Sequence, residues 1–474
     1  MVKISKDMIK SYALENAIKY NGKANQGAVL AGLFAEGLEK SGIKDIMSTI
    51  KKIIEEVNKL SPEKQKKQFS KLDFKTSKRE IREGLKELPN AKKGKVVMRM
   101  APFPSGPLHI GNARTAILND EYVKMYGGKL LLVMDDTIGS EVKQIEPEAY
   151  KLIEDGIKWL GVNIDKKIIY KSDRIEKYYA YAEKMLSKGY LYICECDREK
   201  MRELRIKGME CSCRKHSSNN QMKKWKEMFK AKEGAMTVRL KTDMQDSDPA
   251  FRDRVMFKIS DRSHPRTKNK FRVYPSMEFS WAIDDHLLGV THVLRGIDHQ
   301  MSTRVQDFIR GIFKWKNPES IYNGHFAIEG VKISKSKSAQ EVKSGIYTGW
   351  NDPRTWSLQS LRDRGIQPEA IRKFIINLGI RKTNITAPIQ ILYVINRKML
   401  EDVPRYFFME GPKKIVKDNF NVEIIMPNGN LIKGQGESEL KKLKIGNIIY
   451  FERFGFVRLY EKSKNKLVFW FGHR

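Results

Sequence analysis

Apolar residues in the first 90 positions recur at steps of three and four, so that Ile43, Ile46, Ile50, Ile53, Ile54, Val57 and Leu60 fall on one stripe of a helix. Ser61-Pro62-Glu63 starts another helix, with a capping hydroxyl followed by a proline in the first turn. The period changes near Lys95. Val96 to Met100 is a strand-like run, a Pro/Gly-rich turn spans Ala101 to Pro107, and a helix is expected from Asn112 to Tyr126. Gly127-Gly128 ends that helix, and Lys129 to Met134 is a second strand. Strand, turn, helix, strand is a βαβ unit, which predicts an α/β fold with a parallel sheet and a ligand site at the carboxyl ends of its strands.

Further along, helices are expected over 146–160 and 173–188, the latter capped by Ser172 and closed by Gly189. Residues 236–300 return to strands and turns, 366–405 are helical, and β-rich stretches such as Ile448 to Tyr460 predict a small all-β module from 406 onward. The expected organisation is a basic helical region over 1–93, a catalytic domain over 94–365 with a Cys-rich insertion at 190–235, a helical connection over 366–405, and the β module over 406–474.

Charge narrows the class of partner. The 474 residues carry 90 Lys+Arg against 57 Asp+Glu, a formal net charge of +33. A folded surface with that balance attracts polyanions, most simply nucleic acid, and a Lys-rich helical arm would add phosphate contacts. The longest apolar runs, such as Leu467 to Phe471, are single-strand length and far short of a membrane span. Met1-Val2-Lys3-Ile4-Ser5-Lys6-Asp7 lacks the apolar core of a signal peptide, so a cytoplasmic protein without a membrane partner is expected.

All four cysteines, Cys194, Cys196, Cys211 and Cys213, lie in one short window as two Cys-x-Cys pairs. Two such pairs brought together by a chain reversal supply four thiolates, the tetrahedral set of a structural Zn²⁺. Two disulfides or four inert thiols are the alternatives; a reducing cytosol disfavours the first and the clustering disfavours the second. His216 is the nearby alternative ligand.

Two further segments carry candidate chemistry. The turn Pro104-Ser105-Gly106-Pro107-Leu108-His109-Ile110-Gly111-Asn112 joins strand to helix. A phosphate there meets unpaired N–H groups and the positive helix end, His109 can donate to it, and Gly111 lets a planar base approach the backbone. Downstream, Lys332-Ile333-Ser334-Lys335-Ser336-Lys337 packs three lysines and two hydroxyls into a short loop able to neutralise charge as pyrophosphate leaves.

At these residues the chain resembles class I aminoacyl-tRNA synthetases, whose hallmarks read HIGH and KMSKS, and within them the archaeal type of glutamyl-tRNA synthetase. The resemblance continues through Pro147-Glu148-Ala149-Tyr150, the run from Asp284-Asp285-His286 to Arg295-Gly296, Tyr347-Thr348-Gly349-Trp350, Arg405-Tyr406-Phe407-Phe408 and Phe451 to Arg458. It implies a Rossmann-type catalytic domain and a two-step reaction: glutamate attacks the α-phosphate of ATP, pyrophosphate leaves with Mg²⁺, and the tRNA 3′ end takes the glutamyl group. By motif position, His109 and Gly111 would line the ATP site together with Pro104, Ser105, Gly106, Asn112, Ser334 and Ser336, and Lys332, Lys335 and Lys337 would be the phosphate loop. Arg99 and Arg295 would pair with the substrate's side-chain carboxylate, and Asp135 would face its α-ammonium. The family also implies a monomer, with a downstream amidotransferase if glutamine tRNAs are charged too.

The chain departs from the family pattern at several positions. Phe103 stands where a polar residue is usual, Asn112 closes the HIGH tetrad, Val133 and Ile138 replace charged residues, and Met277, with Glu278 beside it, replaces a tyrosine. Only about 65 residues follow Phe408 where relatives carry two β-barrels, so one reduced barrel and weakened anticodon reading are expected. Two other readings stay open: an enzyme of this fold with altered amino acid or acceptor, and a non-catalytic tRNA-binding protein.

Overall fold

The computed structural model describes residues 4–38, 42–72, 84–140, 143–165, 167–331, 335–412 and 419–474. The chain divides into two compact units, Met1–Glu83 and Gly84–Arg474.

The first unit holds helices α1 (Lys6–Lys19), α2 (Gln26–Ala35), α3 (Ile43–Asn58) and α4 (Pro62–Phe69). The expected stripe turns inward: Ile50, Ile53, Ile54 and Val57 of α3 share a core with Ala13, Leu14 and Ala17 of α1 and with Val29 and Leu33 of α2. Ser61 accepts from Lys64 N–H and Pro62 occupies the first turn of α4, as the sequence predicts. Buried Gln65 ties α4 down by donating from Nε2 to Val57 O and Gly22 O, each at 2.9 Å.

In the second unit, β1 (Val97–Met100), α5 (Ile110–Tyr126) and β2 (Lys129–Met134) form the predicted βαβ unit. Gly127 closes α5 in the left-handed conformation at φ 59°. The chain continues through α6 (Ala149–Trp159), β3 (Ile169–Tyr170) and α7 (Ile175–Ser187). A module follows of β4 (Leu191–Cys194), α8 (Arg198–Lys207), α9 (Ser218–Met228), β5 (Thr237–Leu240), β6 (Val255–Ile259) and β7 (Val273–Pro275). It returns through α10 (Met277–Leu287), β8 (His292–Gly296), α11 (Gln300–Ile312) and β9 (Glu319–Asn323). The main sheet is parallel with order β3-β2-β1-β8-β9, and the module's four strands form a second, antiparallel sheet, β4-β5-β6-β7.

After β9 come β10 (Phe326–Ile328), α12 (Lys335–Lys343), α13 (Leu358–Asp363), α14 (Pro368–Leu378), β11 (Ile385–Ala387) and α15 (Ile389–Met399). The segment 366–405 holds α14 and α15, with β11 between them pairing parallel with β10. The C-terminal module is one seven-stranded sheet of β12 (Arg405–Tyr406), β13 (Phe408–Glu410), β14 (Asn419–Ile425), β15 (Leu431–Glu437), β16 (Ile448–Phe451), β17 (Gly455–Lys462) and β18 (Lys466–His473). It closes over its own core of Phe420, Val422, Ile424, Ile449, Val457 and Phe469.

Two local expectations change. Residues 84–93 pack with the second unit rather than with the helical region: Leu88 is buried in the main core, with Leu85 and Ala91 against it, and His292 Nε2 lies 2.9 Å from Pro89 O. Ser172 does not cap α7. Its N–H and hydroxyl both donate to buried Asp136, at 2.9 and 2.8 Å, and a 3₁₀ turn over Lys171–Arg174 precedes the helix.

The β module is joined to the helices before it by buried polar contacts. Arg364, at the end of α13, donates from Nη2 to Gly472 O at 2.9 Å and Tyr393 OH at 2.9 Å, and Asn396 Oδ1 accepts from Gln367 N–H at 2.7 Å while its Nδ2 meets His473 Nε2 at 2.9 Å. Replacing Arg364 by Met should therefore strand buried carbonyls of β18. A loss of about 2 kcal/mol is expected, read as a lower midpoint in urea unfolding followed by tryptophan fluorescence.

Candidate active site

The turn after β1 is held by reciprocal hydrogen bonds. His109 is the N-cap of α5: its Nδ1 accepts from Gly111 N–H at 3.1 Å, and Asn112 Oδ1 accepts from His109 N–H at 3.3 Å. Asn112 thus completes a capping box, a task its short amide suits. A Cβ at Gly111 would stand 2.9 Å from the imidazole Cε1, so the glycine is what lets the ring lie on the helix start. With Nδ1 accepting, the neutral ring carries its proton on Nε2 and remains a donor. Burial, and then the charge of Lys335, pull the His109 pKa down to about 3, so the ring is neutral at physiological pH.

The rest of the turn is braced from α13. Leu358 N–H donates to Leu108 O at 2.8 Å, and Gly106, at φ +142°, would bring a Cβ within 3.0 Å of the Trp350 ring. Pro104 is buried. Ser105 Oγ is buried with no hydrogen-bond partner among the described residues.

Of the phosphate loop, Lys332 and Ser334 lie outside the described residues, and so does the side chain of Ser336. Lys335 begins α12 close enough to His109 for its charge to act there; burial, and then Lys143, lower its pKa to about 8. Lys337 is exposed, with Nζ 3.7 Å from Glu341.

A cavity of 260 Å³ opens beside the turn and brings together Arg99, Asn112, Asp135, Met277, Trp281 and Arg295. Arg99, Asp135 and Arg295, expected to bind the amino acid, and Met277, expected at the substrate site in place of a tyrosine, therefore line one cavity. Arg99 makes a two-point pair with Asp285, Nε to Oδ1 at 2.5 Å and Nη2 to Oδ2 at 3.2 Å, which leaves Nη1 outside that pair. Arg295 donates from Nη1 to Thr303 Oγ1 at 2.8 Å and to Gln306 Oε1 at 3.0 Å, and among the described residues no carboxylate pairs with it. Burial, and then the charge of Arg99, pull its pKa down to about 10. Two guanidinium groups that repel one another are a natural seat for an anion. Asp135 is 2.9 Å from Lys171 Nζ and accepts from Trp281 Nε1 at 3.1 Å.

A second cavity, of 450 Å³, shares Asp135 and Met277 with the first. Phe103, Ile138 and Met277, three of the positions where the sequence departs from the family pattern, all line it, beside Val255, Phe257 and Lys143. Departures far apart in the chain thus fall on one apolar wall. Glu278 is not part of either lining; it pairs with Arg254 at 2.7 Å.

Sequence reasoning missed Asp285, Lys171, Trp281 and Lys143 as parts of the site. Asp285 stood within a matched motif, but its partner Arg99 is 186 residues away. Lys171 and Trp281 have no local signature at all.

The four cysteines converge at the end of β4. Cys194 and Cys211 are 4.0 Å apart, Cys196 and Cys213 likewise, and all four sulfurs lie within 4.8 Å of one another, an arrangement that could hold a metal ion. A tetrahedral thiolate site with metal–sulfur bonds of about 2.3 Å has sulfur–sulfur edges of about 3.8 Å, so the set needs only a small contraction. His216 is not part of it.

Comparison with known proteins agrees with this architecture. The catalytic-domain family of class I tRNA synthetases for E and Q matches residues 95–402, so the fold and its paired motifs define a class I aminoacyl-tRNA synthetase, a ligase. A glutamate–tRNA ligase of Methanocaldococcus jannaschii is 38% identical over 556 aligned residues, covering 99% of this chain and 100% of the relative. That of Pyrococcus abyssi is 44% identical over 85% of this chain and 72% of the relative. Among solved structures, the glutamate-tRNA synthetase of Elizabethkingia anophelis matches 65% of this chain and 71% of its own with 20% identity and a TM-score of 0.47. The chain belongs to the glutamate–tRNA ligase family. Because the first alignment is longer than the chain's 474 residues, that relative carries segments with no counterpart here.

The Lys335 side chain carries its charge only below about pH 8, so any phosphate binding by it would be confined to that form. The kcat/KM for ATP should fall as pH rises through about 8, because that ratio reports groups of the free enzyme. Lys335→Arg should remove the fall, which a pH series of pyrophosphate exchange measures.

Proposed function

We propose that this chain activates glutamate with ATP and transfers it to the 3′ end of tRNA. The observation that carries the reading is the convergence of Arg99, Arg295 and Asp135 on one cavity beside the His109 turn. Glutamate's side-chain carboxylate sits between the two guanidinium groups, where it relieves their mutual repulsion, and its α-ammonium faces Asp135. The free α-carboxylate then points toward the turn.

ATP lies along that turn, with its phosphates on the start of α5 and its base against Gly111. His109 stays neutral and donates from Nε2, while Lys335 and Lys337 at the start of α12, with Lys332 of the same sequence motif, supply positive charge as pyrophosphate departs together with Mg²⁺. No covalent intermediate on the protein is needed; holding the carboxylate in line with the α-phosphate is the main contribution. The adenylate is next attacked by the terminal ribose hydroxyl of tRNA, whose end reaches the 450 Å³ cavity next door. The net charge of +33 favours that polyanion.

Zinc is the metal that suits a four-thiolate set in the Cys-rich module, in a structural rather than catalytic role. The single β module supports reduced anticodon reading, with charging of both glutamate and glutamine tRNAs and a downstream amidotransferase as its consequence. The enzyme acts as a monomer in the cytoplasm. Among the described residues no helix is long and apolar enough to cross a membrane.

A second reading draws on the apolar wall of Phe103, Ile138 and Met277, which favours an altered amino acid or acceptor. Glutamylation of total tRNA by purified protein, with labelled glutamate, ATP and Mg²⁺, decides between them. Acid-insoluble label supports the first reading; its absence with tRNA still bound supports the second. In that assay Arg295→Gln should raise the KM for glutamate at least about tenfold while leaving that for ATP unchanged, and an unaltered glutamate KM would remove Arg295 from the carboxylate site. Elemental analysis should find about one zinc per chain, falling to near zero in a Cys211→Ser, Cys213→Ser protein.

A further inference from the structure

Met277 and Trp281 stand one turn apart on α10 and face the same cavity. The thioether at 277 has no hydrogen to donate. The indole does, and it gives that hydrogen to Asp135 Oδ2 at 3.1 Å. The other carboxylate oxygen is 2.9 Å from Nζ of Lys171, a side chain with no exposed surface. Lys171 Nζ in turn lies 3.7 Å from the centroid of the indole, and the guanidinium carbon of Arg99 lies 3.5 Å from it. One ring therefore supports two cations through its π electrons and one anion through its N–H.

We propose that Trp281 is the specificity-determining positioning residue of the amino-acid site. It aims Asp135 and sets the plane of Arg99, so one rigid side chain fixes the separation between the anchor for the substrate's ammonium and the anchor for its distal carboxylate. That separation selects glutamate over aspartate, whose chain is one methylene shorter and cannot reach both anchors at once. The inference rests on the glutamate reading of the cavity.

The test is Trp281→Phe, which keeps a stacking ring and removes the donor, measured by tRNA-dependent pyrophosphate exchange with glutamate and with aspartate. The KM for glutamate should rise at least about fivefold with that for ATP within about twofold, and the preference for glutamate over aspartate should shrink by a similar factor. Trp281→His, which restores an N–H on a smaller ring, should recover part of the loss. A phenylalanine variant with wild-type glutamate KM and preference overturns the proposal. So does one whose melting temperature and kcat fall with no change in the KM ratio, since a purely structural role predicts that pattern, and so does a histidine variant no better than phenylalanine. A wild-type enzyme that fails to use glutamate at all is a different outcome: it overturns the underlying reading and this proposal with it.

Discussion

A single carboxylate without exposed surface, that of Asp285 on α10, holds the catalytic unit's charged centre together. It pairs with Arg99 of β1 on one side and, at 3.0 Å, with Arg310 of α11 on the other. Buried ions carry a large desolvation cost that only close, well-directed partners offset, so removing Asp285 would leave Arg99 without a carboxylate partner among the described residues, while Arg310 would keep Asp307. The arrangement has a second effect. Asp285 fixes the guanidinium of Arg99, which lines the cavity, so the site's first cation is in place before any substrate arrives.

Charge is managed differently at the two ends of the site. Around the amino-acid cavity, cations and carboxylates alternate: Arg310, Asp285, Arg99, then Lys171 and Asp135, with the Trp281 ring between. Arg295 breaks the alternation as a cation without an anionic partner among the described residues, and that imbalance is what an acidic substrate would correct. Beside the helix start of the ATP turn, one group is neutral and its neighbour cationic. Burial and Lys335 keep His109 uncharged, and burial and Lys143 weaken the hold of Lys335 on its proton, as expected where positive groups await a polyanion.

The departures from the family pattern gain a shared meaning once folded. Phe103 follows β1, Ile138 follows β2 and Met277 starts α10, yet all three line the cavity adjoining the amino-acid site. Val133, by contrast, is a strand residue buried in the sheet, and Asn112 completes the cap of α5. The changes that touch ligand space are thus distinct from those absorbed by packing.

Much of this was legible in the sequence because it is local. Period and punctuation placed β1, α5, β2 and α3 within a few residues, the cysteine spacing anticipated the sulfur cluster, and the order of motifs identified the family. Helix caps were less secure: Ser172 has the chemistry of a cap, but buried Asp136 offered its hydrogen bonds a partner 36 residues away. The sequence alone also established the preference for a polyanion, through a net charge that no folding changes. Only the tertiary structure decided which charges are spent and which are free. That Arg99 is bound to Asp285 while Arg295 is not, and that Trp281 rather than residue 277 supplies the donor to Asp135, depends on contacts across more than a hundred residues. Such contacts arise when sheet and helices close on one another, and neither periodicity nor spacing carries them.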